Sequence, residues 1–242
     1  MAKQKKRHLG YIMINFKSYF SSSAGNLYTC SDGETKIIID LGVTFKQAQK
    51  ALSFRMSEYS AAFGLHLHAD HCKGIPEALK HAMNCFVLEE TADHLNISGH
   101  GVRIIKPLEQ IYIGSLRVLP FPLKHDVPNV GLLIESRHGG KMVYINDTNY
   151  CEYTFKDITI VAVCCNYDTG ILADSEADPS LKDRILRNHF SLANVKDFLK
   201  ACDLSRCQQI YLIHLSAGHS DAARFKKEIE QLTGVPVKVC DE

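Results

Sequence analysis

Residues 65–74 read LHLHADHCKG and place His66, His68, Asp70 and His71 within six positions. Imidazole and carboxylate together suit borderline divalent ions such as zinc, manganese or iron. A solvated polar loop is the plainer reading, so further ligands must be found elsewhere in the chain. His66 and His68 close an apolar, strand-like run. At i and i+2 of a strand both rings face the same way and converge on one ion. Asp70 and His71 lie in the turn just beyond and reach from the other side, which suits two neighbouring cations. Three more candidates close apolar runs: His125 after LRVLPFPLK, Asp147 after KMVYIN and His214 after QQIYLI. Polar residues at strand ends are how a sandwich projects side chains into a cleft at its rim.

His189 sits in RNHFSLAN between two helical patterns, with Ser191 placed to cap the second. A histidine near its ordinary pKa can act as a general acid. Lys182, Arg184 and Arg187 precede it in LKDRILR. They form no single stripe, yet they bring three cations near His189, where a phosphate backbone would be held. His81, His94, His100, His138 and His219 fall outside the pattern and read as surface or structural, with His219 near the start of the last helix.

These residues need strands to carry them. TKIIID, AAFGLHL, CFVLE, VRII, IYIG, LRVLPFPL, NVGLLIES, KMVYI, ITIVAVC, QQIYLIHLS and PVKV read as strands. TFKQAQKALSF, IPEALKHAM, TADHL, PSLKDRILRNH, SLANVKDFLKAC and SDAARFKKEIEQL read as helices. Strands and helices mixed along the whole chain predict an α/β sandwich with sheets inside and helices outside. No linker interrupts residues 1–242, so one domain is expected, with residues 1–8 a flexible basic tail. The 242 residues are 45% hydrophobic and 23% charged, ordinary for a globular protein, and the formal net charge is +1. That balance announces no global field for nucleic acid, although a local basic groove would vanish in the sum. The apolar run LGYIMINF is too short for a membrane span and lacks a cleavage site. The nine cysteines are odd in number and include no CxxC pair. They read as reduced and mostly buried, and the expected location is cytoplasmic.

The HxHxDH loop, His125, the NDT aspartate and the IHLS histidine, in that order, resemble the metallo-β-lactamase-fold hydrolases. SSSAGNLY followed by TKIIIDLGVTFKQ resembles that fold's opening hairpin, with Asp40 and Gly42 in its DxG turn. HDVPNVG, CNYD, LKDRILRNHFSLANV and IHLSAGHSD are most similar to the WalJ-type (YycJ) branch of bacterial and phage proteins, whose characterised member is a DNA exonuclease. The resemblance implies a four-layer αββα sandwich holding two divalent ions, Zn²⁺ or Mn²⁺. It implies one ion on His66, His68 and His125, the other on Asp70, His71 and His214, and Asp147 bridging them. It further implies a phosphodiesterase with Asp70 holding the attacking hydroxide and His189 contacting the scissile phosphate or protonating the leaving oxygen. Lys182, Arg184, Arg187 and Ser191 are the expected substrate contacts. The implied partner is nucleic acid, DNA first, or a nucleotide; no membrane is expected and a homodimer is left open. Alternatives are a cyclic-nucleotide phosphodiesterase of the anti-Pycsar type or an RNase Z-like RNA endonuclease. A β-lactam, thioester or lactone hydrolase and a non-catalytic metal-binding protein fit the segments less well. The chain departs from the branch at Cys164, where an acidic residue is usual, at Ala24 in the opening turn, and in lacking a glycine before His189.

Overall fold

A computed structural model describes residues 14–240. The basic stretch 1–8 lies outside the described residues. The first half contributes β1 (Asn15–Ser22), β2 (Gly25–Ser31), β3 (Lys36–Leu41), α1 (Phe45–Ala51), β4 (Ala61–Gly64), α2 (Ala69–Cys72), α3 (Ile75–Lys80), β5 (Cys85–Val87), α4 (Glu89–His94) and β6 (Val102–Ile104). The second half contributes β7 (Ile111–Ile113), β8 (Leu116–Leu123), β9 (Asn129–Ser136), β10 (Lys141–Ile145), β11 (Ile160–Cys164), α5 (Thr169–Asp174), α6 (Pro179–Asn188), α7 (Leu192–Ala201), β12 (Gln209–Ile213), α8 (Ala222–Thr233) and β13 (Val237–Val239).

The strands form two sheets, ordered β1-β2-β3-β4-β5-β6 and β13-β12-β11-β10-β9-β8-β7. Alternation along each strand divides the core into layers. Ile37 and Ile39 face the second sheet, meeting Val118, Leu132 and Tyr144, while Ile38 turns outward to Phe45, Ala48 and Ile75 of α1 and α3. In the second sheet Tyr144 and Ala162 face inward, and Val143, Ile145, Val161 and Val163 turn out to Val195, Phe198, Phe225 and Ile229 of α7 and α8. Helices thus cover the outer face of each sheet, which is the expected αββα sandwich.

Strand direction places the site. β3 and β4 run parallel, as do β10, β11 and β12. β8 and β10 are both antiparallel to β9, so they also run alike. The C-terminal ends of β8, β10, β11 and β12 therefore share one rim, where α/β proteins gather their ligand groups. His125, Asp147, Cys164 and His214 all occur at those ends.

One local expectation is corrected. β4 stops at Gly64, so His66 and His68 are not strand residues at i and i+2; they lie in the bend between β4 and the single helical turn α2. The bend brings both rings to one point, and α2 then presents Asp70 and His71. α5 also went unread in the sequence; Asp168 caps it by accepting from the backbone N–H groups of Gly170 and Ile171. His219 precedes α8 without capping it, because Asp221 takes that place. All nine cysteines are free thiols, seven of them buried. Among the described residues no helix is long and apolar enough to cross a membrane.

Candidate metal centre

Two groups of donor atoms meet at the rim. In the first, His68 Nδ1 lies 3.2 Å from His66 Nε2 and 3.2 Å from His125 Nε2. In the second, His71 Nε2 lies 3.3 Å from Asp70 Oδ2, and His214 Nε2 lies 3.6 Å from that oxygen. Asp147 Oδ2 stands between the groups, 2.9 Å from His71 Nε2 and 3.7 Å from His66 Nε2. Four ligands held at 2.0–2.1 Å around a tetrahedral ion stand about 3.3 Å apart. The observed spacings match that figure. His214 Nδ1 and Nε2 and Asp147 Oδ1 are buried yet aligned with no hydrogen-bond partner, although oppositely charged groups adjoin them. Side chains that converge without aiming at one another fit a shared cation. The donor set accommodates divalent metal, and the seven residues named from the sequence as ligands stand together at the rim.

The backbone is bent to achieve this. Asp40, Asp147 and His214 each adopt a left-handed conformation, with φ of 54°, 46° and 55°. Such angles are uncommon for residues other than glycine and cluster where a site constrains them. At Asp40 the cause is a bulge: Leu27 pairs with Leu41 and Tyr28 with Ile39, leaving Asp40 unmatched. The bulge turns the Asp40 carboxylate inward, where Oδ2 pairs with His71 Nδ1 at 2.8 Å and accepts from Tyr144 Oη at 2.6 Å. That contact fixes the His71 ring with Nε2 toward the centre. Gly42 follows. A Cβ there would lie 1.6 Å from the Asp70 carbonyl oxygen, so only glycine lets β3 run against the ligand turn.

Asn26, Asp40 and Asp126 complete the surroundings, and the sequence assigned none of them a role here. Asn26 Nδ2 reaches Asp70 O at 3.1 Å, Asp70 Oδ2 at 3.3 Å and His71 Nε2 at 3.1 Å. Tyr28 Oη donates to Asn26 Oδ1, and the His214 N–H donates to Ser21 Oγ, which adjoins Tyr28 Oη. The one available signal was an asparagine and a tyrosine two positions apart in the short run GNLYTCS. Asp126 Oδ1 lies 3.2 Å from His125 Nε2 and 3.5 Å from His68 Nε2.

Charge is balanced within the cluster. Burial, aided by the cationic neighbour His71, pushes the His66 pKa well down, and burial pushes His125 down to about 4. Both rings are therefore neutral and offer lone pairs. Burial also opposes charge on His71 and His214, but Asp40 and Asp147 outweigh it at His71, and Asp147 and Asp70 do so at His214, raising both. Burial is likewise overcome at Asp147 by His214, His189 and His71, and at Asp70 by His214 and His71, so both carboxyls are held low. Protons on His71 and His214 compete with a cation for the same lone pairs.

The centre opens into a cleft of about 380 Å³ lined by Ser23, His68, Asp70, His125, Asp126, Asp147, Arg184, Asn188, His189 and His214. Residues 35–215 match the family described as "Beta-lactamase superfamily domain". The chain belongs to the beta-lactamase superfamily. It is a metallo-β-lactamase-fold hydrolase, a class whose centre takes divalent metal ions. Its relatives include exodeoxyribonuclease YycJ of Bacillus anthracis, 24% identical over 234 residues, covering 90% of this chain and 89% of that protein. Among solved structures, the metallo-β-lactamase-fold protein YhfI of Bacillus subtilis superposes with a TM-score of 0.72 at 13% identity, covering 94% of this chain and 97% of that one. A diphosphatase of the PhnP family gives a TM-score of 0.67 at 14% identity, covering 95% and 94%.

The superfamily cleft separates the expected substrate contacts. Arg184 lines it, as does His189 at the C-terminus of α6, with 13% of its side chain exposed. Lys182 is engaged elsewhere: its Nζ donates to the carbonyls of Ala173 and Ser175, tying α6 to the end of α5. Arg187 points into solvent and pairs with Asp183 one turn back. Packing explains the split: the end of α5 supplies two carbonyls to Lys182, whereas Arg187, one turn beyond Arg184, is drawn to Asp183. Ser191 is buried and caps α7 by accepting from the Asn194 N–H, so its hydroxyl serves the helix. His189 Nδ1 lies 3.1 Å from Asp147 Oδ1. Burial opposes its charge, but Asp147 and Cys164 raise its pKa to about 9.

Proposed function

We propose that this hydrolase is a metal-dependent phosphodiesterase acting on nucleic acid, with DNA the substrate and exonucleolytic cleavage the mode. One observation carries the reading: a two-ion donor set, a histidine and an arginine open into a single cleft. The relation to an exodeoxyribonuclease across nine-tenths of the chain supports the substrate class. His66, His68 and His125 would hold one divalent ion, Asp70, His71 and His214 the other, and Asp147 would join them. Zinc or manganese bound there would supply Lewis acidity and acidify a water to near neutral pH. Asp70 lines the cleft and would orient the attacking water. Arg184 neutralises a non-bridging phosphate oxygen. His189 faces Asp147 through Nδ1, which leaves Nε2 to protonate the departing oxygen.

A substrate panel tests this: labelled linear double-stranded DNA, single-stranded DNA, RNA and cyclic nucleotides, each with manganese or zinc. Progressive shortening of linear DNA, abolished in both Asp70→Ala and His71→Ala, is expected. Intact DNA alongside cleavage of another substrate would overturn the assignment. A cyclic mononucleotide is the second reading, since the cleft lies at the small end of ligand-site volumes, about 300–1,000 Å³. Faster hydrolysis of cyclic UMP or cyclic CMP than of DNA would establish it.

A further inference from the structure

A third group of donors lies beside the two described, and it uses different atoms. Asp147, Cys164, His189 and His214 bring one ligand atom each within 4.8 Å of one another. The pair Asp147 and His214 also belongs to the second ion's group, but through other atoms. There the spacing runs through Asp147 Oδ2 and His214 Nε2. Here Asp147 Oδ1 lies 3.0 Å from His214 Nδ1 and 3.1 Å from His189 Nδ1. All three atoms are buried and none is aligned with a hydrogen-bond partner. Their spacing is again close to the roughly 3.3 Å edge of a tetrahedral site.

Cys164 supplies the fourth corner. It is wholly buried at the end of β11, level with Ile213 across the parallel register of β11 and β12. Pairing with β10 sets Val163 against Ile145, so the thiol stands between Asp147, just past the end of one neighbouring strand, and His214, just past the end of the other. A cysteine, two histidines and an aspartate form a borderline-soft set suited to zinc and its thiophilic analogues.

We propose that this chain holds a third cation position, formed by Cys164 Sγ, His189 Nδ1, His214 Nδ1 and Asp147 Oδ1, which takes a thiophilic divalent ion. It rests on the two-ion reading, because Asp147 and His214 are shared. Filling it releases the Cys164 thiol proton, the His189 Nδ1 proton and the remaining N–H proton of His214, so that the His214 ring joins two cations. His189 keeps Nε2 toward the cleft.

The test is a cobalt(II) titration of the metal-stripped full-length protein, followed by thiolate-to-cobalt charge-transfer absorption in the near ultraviolet. The expected result is a thiolate band that grows with the third equivalent. Cys164→Ser and Cys164→Ala, checked for folding by circular dichroism, should bind two equivalents and show no band. Two equivalents bound by the wild type without a band would overturn the third position and leave the two-ion reading standing. A band complete at two equivalents, or one persisting in both variants, would also overturn it, placing a thiolate on one of the first two ions or assigning it to another cysteine. Fewer than two equivalents bound by the wild type would instead defeat the two-ion reading itself.

Discussion

Replacing Gly42 by alanine puts the close fit of β3 against the ligand turn to a quantitative test. The new Cβ would stand 1.6 Å from the Asp70 carbonyl oxygen, 2.1 Å from its carbon and 2.7 Å from the His71 nitrogen. All three are backbone atoms, so no side chain can rotate away. Ordinary contact begins near 3.4 Å, which leaves a shortfall of 3.4 − 1.6, or 1.8 Å. Metal ligands tolerate roughly ±0.2 Å before a site degrades, and a 1 Å misplacement near reacting groups costs on the order of 10²-fold in rate. Asp70 and His71 are displaced together, whereas His66, His68 and His125 stand on other contacts. Gly42→Ala is therefore expected to keep one divalent ion and to bind the second at least 10²-fold more weakly, with turnover reduced by roughly that factor or more. Elemental analysis of the purified variant gives the stoichiometry, competition with a chromophoric chelator gives the affinities, and circular dichroism reports folding. A folded variant with two tightly bound ions and normal turnover would refute the argument.

Five other substitutions have defined expected outcomes. Asp40→Asn removes the charge that orients His71 and should weaken metal binding by about 10–100-fold, read in the same chelator competition. His189→Ala should slow cleavage by roughly 10²–10⁴-fold, whereas Arg184→Ala should raise KM and lower the salt dependence of binding by about one phosphate contact. Arg187→Ala should change neither, and an effect equal to that of Arg184→Ala would contradict the placement of Arg184 alone of the two in the cleft. Asp32 provides a pH test away from the centre. It is buried, and although burial opposes its charge, hydrogen bonds from Ser115, Ser136, Thr35 and Glu34 lower its pKa from 3.8 to about 2. A depressed carboxyl stabilises the folded state above its unfolded value and loses that effect as pH falls through the folded one. Asp32→Asn should cost roughly 1–3 kcal/mol at pH 7, and the gap from wild type should close between about pH 4 and pH 2. Thermal unfolding across that range measures it, and a gap independent of pH would contradict the assignment.

Much of this centre was legible because strand-end polar residues punctuate apolar runs. His125, Asp147 and His214 were found that way, and parallel strand ends bring them together. The HxHxDH spacing pointed to side chains that do converge at the rim, but it gave the wrong backbone. Leu65 and Leu67 continue the apolar alternation past Gly64, so periodicity carried β4 three residues too far. What stops it is tertiary: the Leu65 N–H turns to the Asp40 carboxylate rather than a strand neighbour. The bulge at Asp40 is equally invisible, because it depends on the register of β2 against β3. Asn26 lacked any spacing cue, its partners being 44 and 45 residues away. The three cations of α6 looked alike in sequence. Only the packing of α6 against α5 separates Arg184, in the cleft, from Lys182, which holds two carbonyls.

Two divalent ions held by these seven residues are proposed to hydrolyse phosphodiester bonds. The most direct test is to strip the protein with a chelator, restore manganese or zinc in measured steps, and follow cleavage of labelled linear DNA at each. No cleavage is expected without metal, with a rate that rises as the second equivalent binds. Full activity in the stripped protein, or a rate already maximal at one equivalent, would contradict the proposal.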